Sequence, residues 1–368
     1  MQASLNHYCL SIPPVDRQAG QEAARYLDTL TKPKGSLGRL EAIAVQLATI
    51  TGQVKPRVSP PGIIVFAADH GVAEEGVSAY PQEVTAQMVR NFLQGGAAIN
   101  VFARQIGALL EVVDVGVAQP LEASGLVSRK VRYGTANFLK EPAMSQEEAV
   151  AAVEAGIERA EALIKRGIKS LIVGEMGIGN TTASSAMLAA FLCGEKIRGS
   201  AELDTEVIGQ IQGVVGPGTG LEQERVNHKR SVIVRALALH RPDGNKPLDV
   251  LSKVGGLEIA GMAGAMLAAA KHRIPVIVDG FICTVAALLA VKLCPRVSDV
   301  LLAGHRSQEP GHQVALSLLD KEPLLDLGMR LGEGSGAAVA FPLVEAACRM
   351  IGEMATFQSA GVTDGEGA

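Results

Sequence analysis

Glu333 is a lone carboxylate among glycines, in the run Leu331-Gly332-Glu333-Gly334-Ser335-Gly336, with an apolar stretch at 337–343 directly behind it. Glycines let backbone crowd a ligand, and an apolar setting raises a carboxyl group's proton affinity, which suits a general base. The plainer alternative is a glycine-rich turn leading into a helix, with Glu333 solvated. Two more glycine-dense stretches lie upstream, Gly174-Glu175-Met176-Gly177-Ile178-Gly179-Asn180-Thr181-Thr182 and Gly216-Pro217-Gly218-Thr219-Gly220. Three such loops in one chain point to one shared ligand.

The first upstream loop follows an apolar run at 170–173 and precedes a helical pattern from 183. In a strand, glycine loop and helix of this kind, successive backbone N–H groups and the helix N-terminus face an anion, with Asn180, Thr181 and Thr182 adding side-chain donors. A phosphate fits there, with Gly177 and Gly179 open to close backbone approach. The loop lacks the Gly-Lys-Ser/Thr of a Walker sequence and matches the dinucleotide fingerprint only in part, so an ordinary strand-to-helix turn is the competing reading. Gly216, Gly218, Thr219 and Gly220 form a similar loop. Lys229 either reaches a phosphate or covers a helix face, the latter being commoner for an isolated lysine. His305 and His312 are separated by Pro310 and Gly311, which break any shared helical face, so no metal site is expected. No Gly-x-Ser-x-Gly elbow supports a nucleophilic serine.

The elements that must position these groups alternate. Short β-rich runs at 62–68, 109–115, 170–174, 275–278 and 300–303 are each followed by helical periodicity, over 84–106, 146–166, 182–193, 229–240, 257–272 and 282–293. This predicts an α/β fold, a mainly parallel sheet with helices on both faces. Ligands of such sheets gather beyond the carboxyl ends of the strands, where the chain places Asp69-His70, Asp114, Glu175, Asp279-Gly280 and Gly304-His305-Arg306. Asp69-His70-Gly71 reads either as an orienting group or as a satisfied turn. The chain ends, 1–34 and 326–368, flank a large domain at 35–325 and are expected to pair into a small lobe.

Composition narrows the function classes. The chain has 368 residues, 48% of them hydrophobic, enough to bury a large core. A net charge of -4 without a Lys/Arg block argues against a nucleic-acid partner. Five scattered cysteines, none in CxxC spacing, fit a reducing cytoplasm, and the N-terminal residues lack the pattern of a signal peptide. The apolar stretches 261–270 and 281–291 are too short to cross a membrane, which needs about 20 residues.

Taken in order, Lys32-Pro33-Lys34-Gly35-Ser36-Leu37-Gly38, Ala68-Asp69-His70-Gly71-Val72, Val84-Thr85-Ala86-Gln87-Met88, the loops at 174–182 and 216–220, His305-Arg306-Ser307 and Gly332 to Gly336 resemble the nicotinate-nucleotide:dimethylbenzimidazole phosphoribosyltransferase family over nearly the whole chain. The resemblance implies a Rossmann-like sheet with a small helical lobe built from both termini, a homodimer and no cofactor. Its substrates would be nicotinate mononucleotide and an aromatic base such as 5,6-dimethylbenzimidazole, and its product α-ribazole 5'-phosphate for the nucleotide loop of cobalamin. It implies Glu333 as general base, Glu175 and Lys229 beside the ribosyl phosphate, the two upstream loops as phosphate cradle, Ser307 at the nicotinate carboxylate and Leu331 in the base pocket. Tyr80 and Met88 stand where some members carry Ser and Gln in that pocket, which leaves the accepted base open. Two rival readings are a non-catalytic partner subunit of such a transferase and a nicotinamide-dependent oxidoreductase. The latter requires an acidic residue closing a second strand about 20 positions beyond the glycine loop, and the segment near Glu195 does not read as one.

Overall fold

The computed structural model describes residues 2–199, 203–218 and 220–363. Six parallel strands, β1 (Pro61–Ala68), β2 (Leu109–Gly116), β3 (Leu126–Ser128), β4 (Ser170–Met176), β5 (Val276–Val278) and β6 (Leu301–Ala303), form one sheet in the order β3-β2-β1-β4-β5-β6. The direction of strand addition reverses between β1 and β4, the position at which doubly wound sheets open a crevice. All eight residues of β1 are buried, as expected of a central strand covered on both faces. The expected α/β architecture is present, with one strand more than the hydrophobic runs indicated. β3 has three residues, none of them fully buried, and gives no periodic signal.

Side-chain alternation locates the two helical layers. Val65 pairs with Gly174 and Phe66 with Glu175, so each pair shares a face. Phe66 packs on Gly261 of the helix Leu257–Lys271, whereas the backbone of Glu333 lies over Gly174, so the Glu333 turn sits on the opposite face. Behind that turn, the helix Ser335–Glu353 lies against β4 and β5. This helix has the length and apolar composition of a membrane-crossing segment, but most of it is buried inside the protein, as befits a core helix. The chain ends meet where Leu30 bridges Thr356 and the Phe357 N–H donates to Thr29. The continuous hydrophobic core takes in Leu27 and Leu30 as well as Phe341 and Ile351.

One expected helix is two. The run 84–106 breaks at Gly95, which takes φ 81° and caps Glu83–Gln94, before Ala98–Gln105 restarts. The break creates a helix N-terminus that faces the Glu333 turn.

The helices Gln146–Lys165 and Leu257–Lys271 touch backbone to backbone. A Cβ on Gly156 would collide with the Gly261 carbonyl oxygen, and one on Gly264 with that of Val153. Helical Gly→Ala substitutions usually stabilise by about 0.5–1 kcal/mol. Here Gly156→Ala is expected to destabilise by about 1–3 kcal/mol through overpacking. Gly209→Ala, in the helix Thr205–Gly213 with open space around it, should be neutral or stabilising. Urea unfolding of both variants checks the opposite signs, and two stabilised proteins would refute the close approach.

Candidate active site

The strand ends surround a cavity of about 620 Å³. Its lining includes Glu333, Glu175 and, from the first glycine loop, Gly177, Ile178, Asn180 and Thr181. Gly218, Ser307, Leu331, Tyr80 and Met88 also line it, so most residues singled out from sequence come together in space. Leu331 and Tyr80 are half exposed at the mouth. Gly179, Gly216, Gly220 and Lys229 stand behind or beside the wall, and Thr219 lies outside the described residues. Asp69 and His70 are not among the lining residues. Asp69 Oδ2 accepts from the Ala118 N–H at 2.8 Å, and His70 Nε2 lies 2.7 Å from Glu258 Oε1 in a fully buried pair.

Glu333 is 6% exposed and carries a left-handed backbone, φ 63°, between Gly332 at 95° and Gly334 at 90°. A non-glycine residue in this region is strained and persists only where its surroundings impose it. Asp279 beyond β5 supplies the constraint. Its Oδ2 accepts from the Gly334 N–H at 3.2 Å and its Oδ1 from the Ala337 N–H at 3.0 Å, which satisfies the N-terminus of Ser335–Glu353 in place of a local cap. The Glu333 side chain accepts from the Ile99 N–H at 3.2 Å, in the first turn of Ala98–Gln105. Burial raises the proton affinity of Glu333, the Ile99 N–H opposes that, and the charge of Asp279 adds to it. Such a carboxylate can take a proton from a ligand near neutral pH.

The glycines have a packing role as well: they let chain pack against chain. A Cβ on Gly174 would collide with the Glu333 carbonyl, one on Gly332 with Glu175 Oε1, and one on Gly336 with the His305 ring. A Cβ on Gly177 would meet the Ala68 carbonyl oxygen of β1, and one on Gly179, at φ 98°, would lie 3.1 Å from His70 Cβ. Three amides of the first glycine loop already have protein partners. The Ile178 N–H donates to Thr85 Oγ1 at 3.1 Å, and those of Asn180 and Thr182 bond to Gly177 and Gly179.

Lys229 is fully buried, not on a solvated face. Its ammonium donates to Thr181 Oγ1 at 2.9 Å and to the Gly216 carbonyl at 3.3 Å, so it ties the two upstream loops together. Burial pushes its pKa down to about 8, with Glu309 opposing. Glu175, at the end of β4, accepts from the Asn180 amide. Burial, then the charges of Glu258 and Asp279, push it up to about 8, so Glu175 is mostly a neutral acid at pH 7.

The two histidines are structural partners. Burial pushes His312 down to about 4, which leaves it neutral. Its Nδ1 accepts from the Ser307 N–H at 2.8 Å, and its Nε2 lies 3.0 Å from Thr284 Oγ1. Because the Thr284 hydroxyl donates to Gly280, the proton of His312 belongs on Nε2. His312 thereby fixes Ser307. Burial alone would lower His305, but its contact with Asp279 at 3.4 Å turns the shift upward. Asp279, His305, Glu309 and Arg330 line the cavity without having been proposed as site residues. The rim position of Asp279 and His305 was the available signal, whereas Glu309 falls in a segment considered only for metal ligation.

Glu175 links the site to stability. Its proton affinity is raised on folding, so its contribution is fully present below the ordinary carboxyl pKa of 4.5 and is lost as pH rises toward about 8. Glu175→Gln is therefore expected to raise Tm by a few degrees at pH 8 and to change it little at pH 4.5. Thermal unfolding at both pH values checks this, and parallel pH dependence in the two proteins would contradict it.

A family profile described as phosphoribosyltransferase matches residues 12–362. A nicotinate-nucleotide–dimethylbenzimidazole phosphoribosyltransferase of Halalkalibacterium halodurans is 52% identical over 353 residues, 96% of this chain and 95% of its own length. One from a Roseiflexus species is 54% identical over 353 residues, with 96% of each covered. The crystal structure of CobT from Thermus thermophilus superposes with a TM-score of 0.87 at 48% identity, covering 95% of this chain and all of that one.

Proposed function

The chain belongs to the phosphoribosyltransferase family, and on that premise we propose that it transfers the 5-phosphoribosyl group of nicotinate mononucleotide to 5,6-dimethylbenzimidazole or a related base. The products are nicotinate and α-ribazole 5'-phosphate, for the nucleotide loop of cobalamin. The observation that carries the assignment of roles is the buried Glu333 carboxylate, set by its turn on the wall of the cavity.

The chemistry asks for one base. As the bond from the sugar carbon to the pyridinium nitrogen breaks, its electron pair returns to that nitrogen, and nicotinate leaves without needing a proton. A benzimidazole nitrogen donates its lone pair to the same carbon from the opposite side, and configuration inverts. The other ring N–H becomes acidic, and Glu333 takes its proton. Positive charge spreads over the sugar in the transition state, and the carboxylates of Glu333 and Asp279 favour it. Leu331, Tyr80 and Met88 offer apolar surface to the flat base at the mouth. Lys229, Thr181 and the loop at 216–220 hold the phosphate, and a neutral Glu175 can approach it without repulsion. Ser307 contacts the nicotinate carboxylate. In this reading residues 35–325 form the large domain with the phosphate-binding loops, and the segments 1–34 and 326–368 form a small helical lobe that carries the general base. The protein works as a cytoplasmic homodimer without a cofactor.

Incubation of the protein with nicotinate mononucleotide and dimethylbenzimidazole should yield α-ribazole 5'-phosphate. Glu333→Gln keeps the shape but accepts no proton, and is expected to lower kcat by roughly 10²- to 10⁴-fold with a smaller effect on KM. Near-normal turnover in this variant would remove Glu333 from its role.

A further inference from the structure

One carboxylate on the cavity wall has no task in this scheme. Glu309 precedes the helix Pro310–Leu319, is 7% exposed and lines the cavity. Neither of its oxygens has a hydrogen-bond partner among the described residues. A buried ionisable group in that state destabilises the unliganded fold, and it calls for an explanation such as a ligand that completes it. A direct ion pair does not account for it: the ammonium of Lys229 donates to Thr181 and Gly216 and acts on Glu309 only through space, with no hydrogen bond to either of its oxygens among the described residues. Burial raises the proton affinity of Glu309, while Lys229, the nearby Gly218 N–H and Arg330 partly hold it down.

We infer that Glu309 accepts hydrogen bonds from the ribose hydroxyls of the nucleotide donor and so selects a ribosyl over a deoxyribosyl substrate. The inference rests on the phosphoribosyl-transfer reading above. Position supports it. The Glu309 N–H donates to Ser307 Oγ at 3.4 Å, and a Cβ on Gly216 would collide with Glu309 Oε2. Glu309 thus lies between the residue assigned to the pyridine carboxylate and the loop assigned to the phosphate. In the donor, the ribose joins those same two groups. Chemistry supports it as well, since an ionised carboxylate only accepts hydrogen bonds and a vicinal diol offers two donors. A phosphate offers acceptors and negative charge, which this position would repel.

The test compares nicotinate mononucleotide with its 2'-deoxy and 3'-deoxy analogues, in the wild-type protein and in Glu309→Ala, at saturating dimethylbenzimidazole. For the wild type, loss of a contacted hydroxyl should lower kcat/KM by about 10- to 100-fold, the range for a hydrogen bond to a charged group. In Glu309→Ala the ribosyl donor should fall by a similar factor while the deoxy donor changes less than about threefold, as expected when both partners of one bond have gone. Equal falls for ribosyl and deoxy donors would mark a structural role and overturn the inference. So would equal kcat/KM for the donors in the wild type, a comparison that needs no variant to fold. Failure of the wild type to form product from nicotinate mononucleotide would overturn the transferase reading itself. Product without discrimination overturns this inference alone.

Discussion

The site depends on one carboxylate that moves no proton. Asp279, 1% exposed at the end of β5, takes the Gly334 and Ala337 N–H groups and draws the N-terminus of a 19-residue helix onto the strand ends. A negative charge at a helix N-terminus is favourable, and the same bonds satisfy amides that would otherwise be orphaned. They hold the turn in which Glu333 carries its left-handed backbone. Gly174, Gly332 and Gly336 then leave room for that turn against β4, Glu175 and His305.

Crowding of acids is the second organising feature. Glu175, Asp279, Glu309 and Glu333 line one cavity, with Arg330 at its edge and Lys229 behind. Like charges in a poorly solvated space cannot all ionise together, and the burdens are shared unequally. Asp279 accepts from two backbone amides, whereas burial and neighbouring charges push Glu175 up to about 8. Unequal surroundings of this kind are how a base and a neutral hydrogen-bond partner come to stand in one site. A cationic pyridinium that becomes neutral on departure suits such an enclosure.

Much of this was legible in the sequence because it is written in periodicity and in glycine spacing. The runs 62–68, 109–115 and 170–174 lie within β1, β2 and β4, since buried parallel strands are continuous apolar runs. What escaped depends on contacts between distant residues. Nothing local distinguishes a buried Lys229 from a solvated one; its burial follows from Thr181 and Gly216, 48 and 13 positions away. The helix break at Gly95 looks minor in sequence, yet it produces the amide that holds Glu333. Gly177 and Gly179 were found for their spacing, while their reasons, the Ala68 carbonyl and the His70 side chain, lie on another strand end.

The glycine contacts between Gln146–Lys165 and Leu257–Lys271 have a mechanical consequence. Where main chain meets main chain, no side chain remains to change rotamer, so this layer behaves as a stiff keel beneath the sheet. Under the proposed function, accommodation of a bulky planar guest therefore falls to the opposite gunwale, where Tyr80 and Leu331 are half exposed. On that proposal, adjustment to differently shaped guests belongs to the rim and not to the keel.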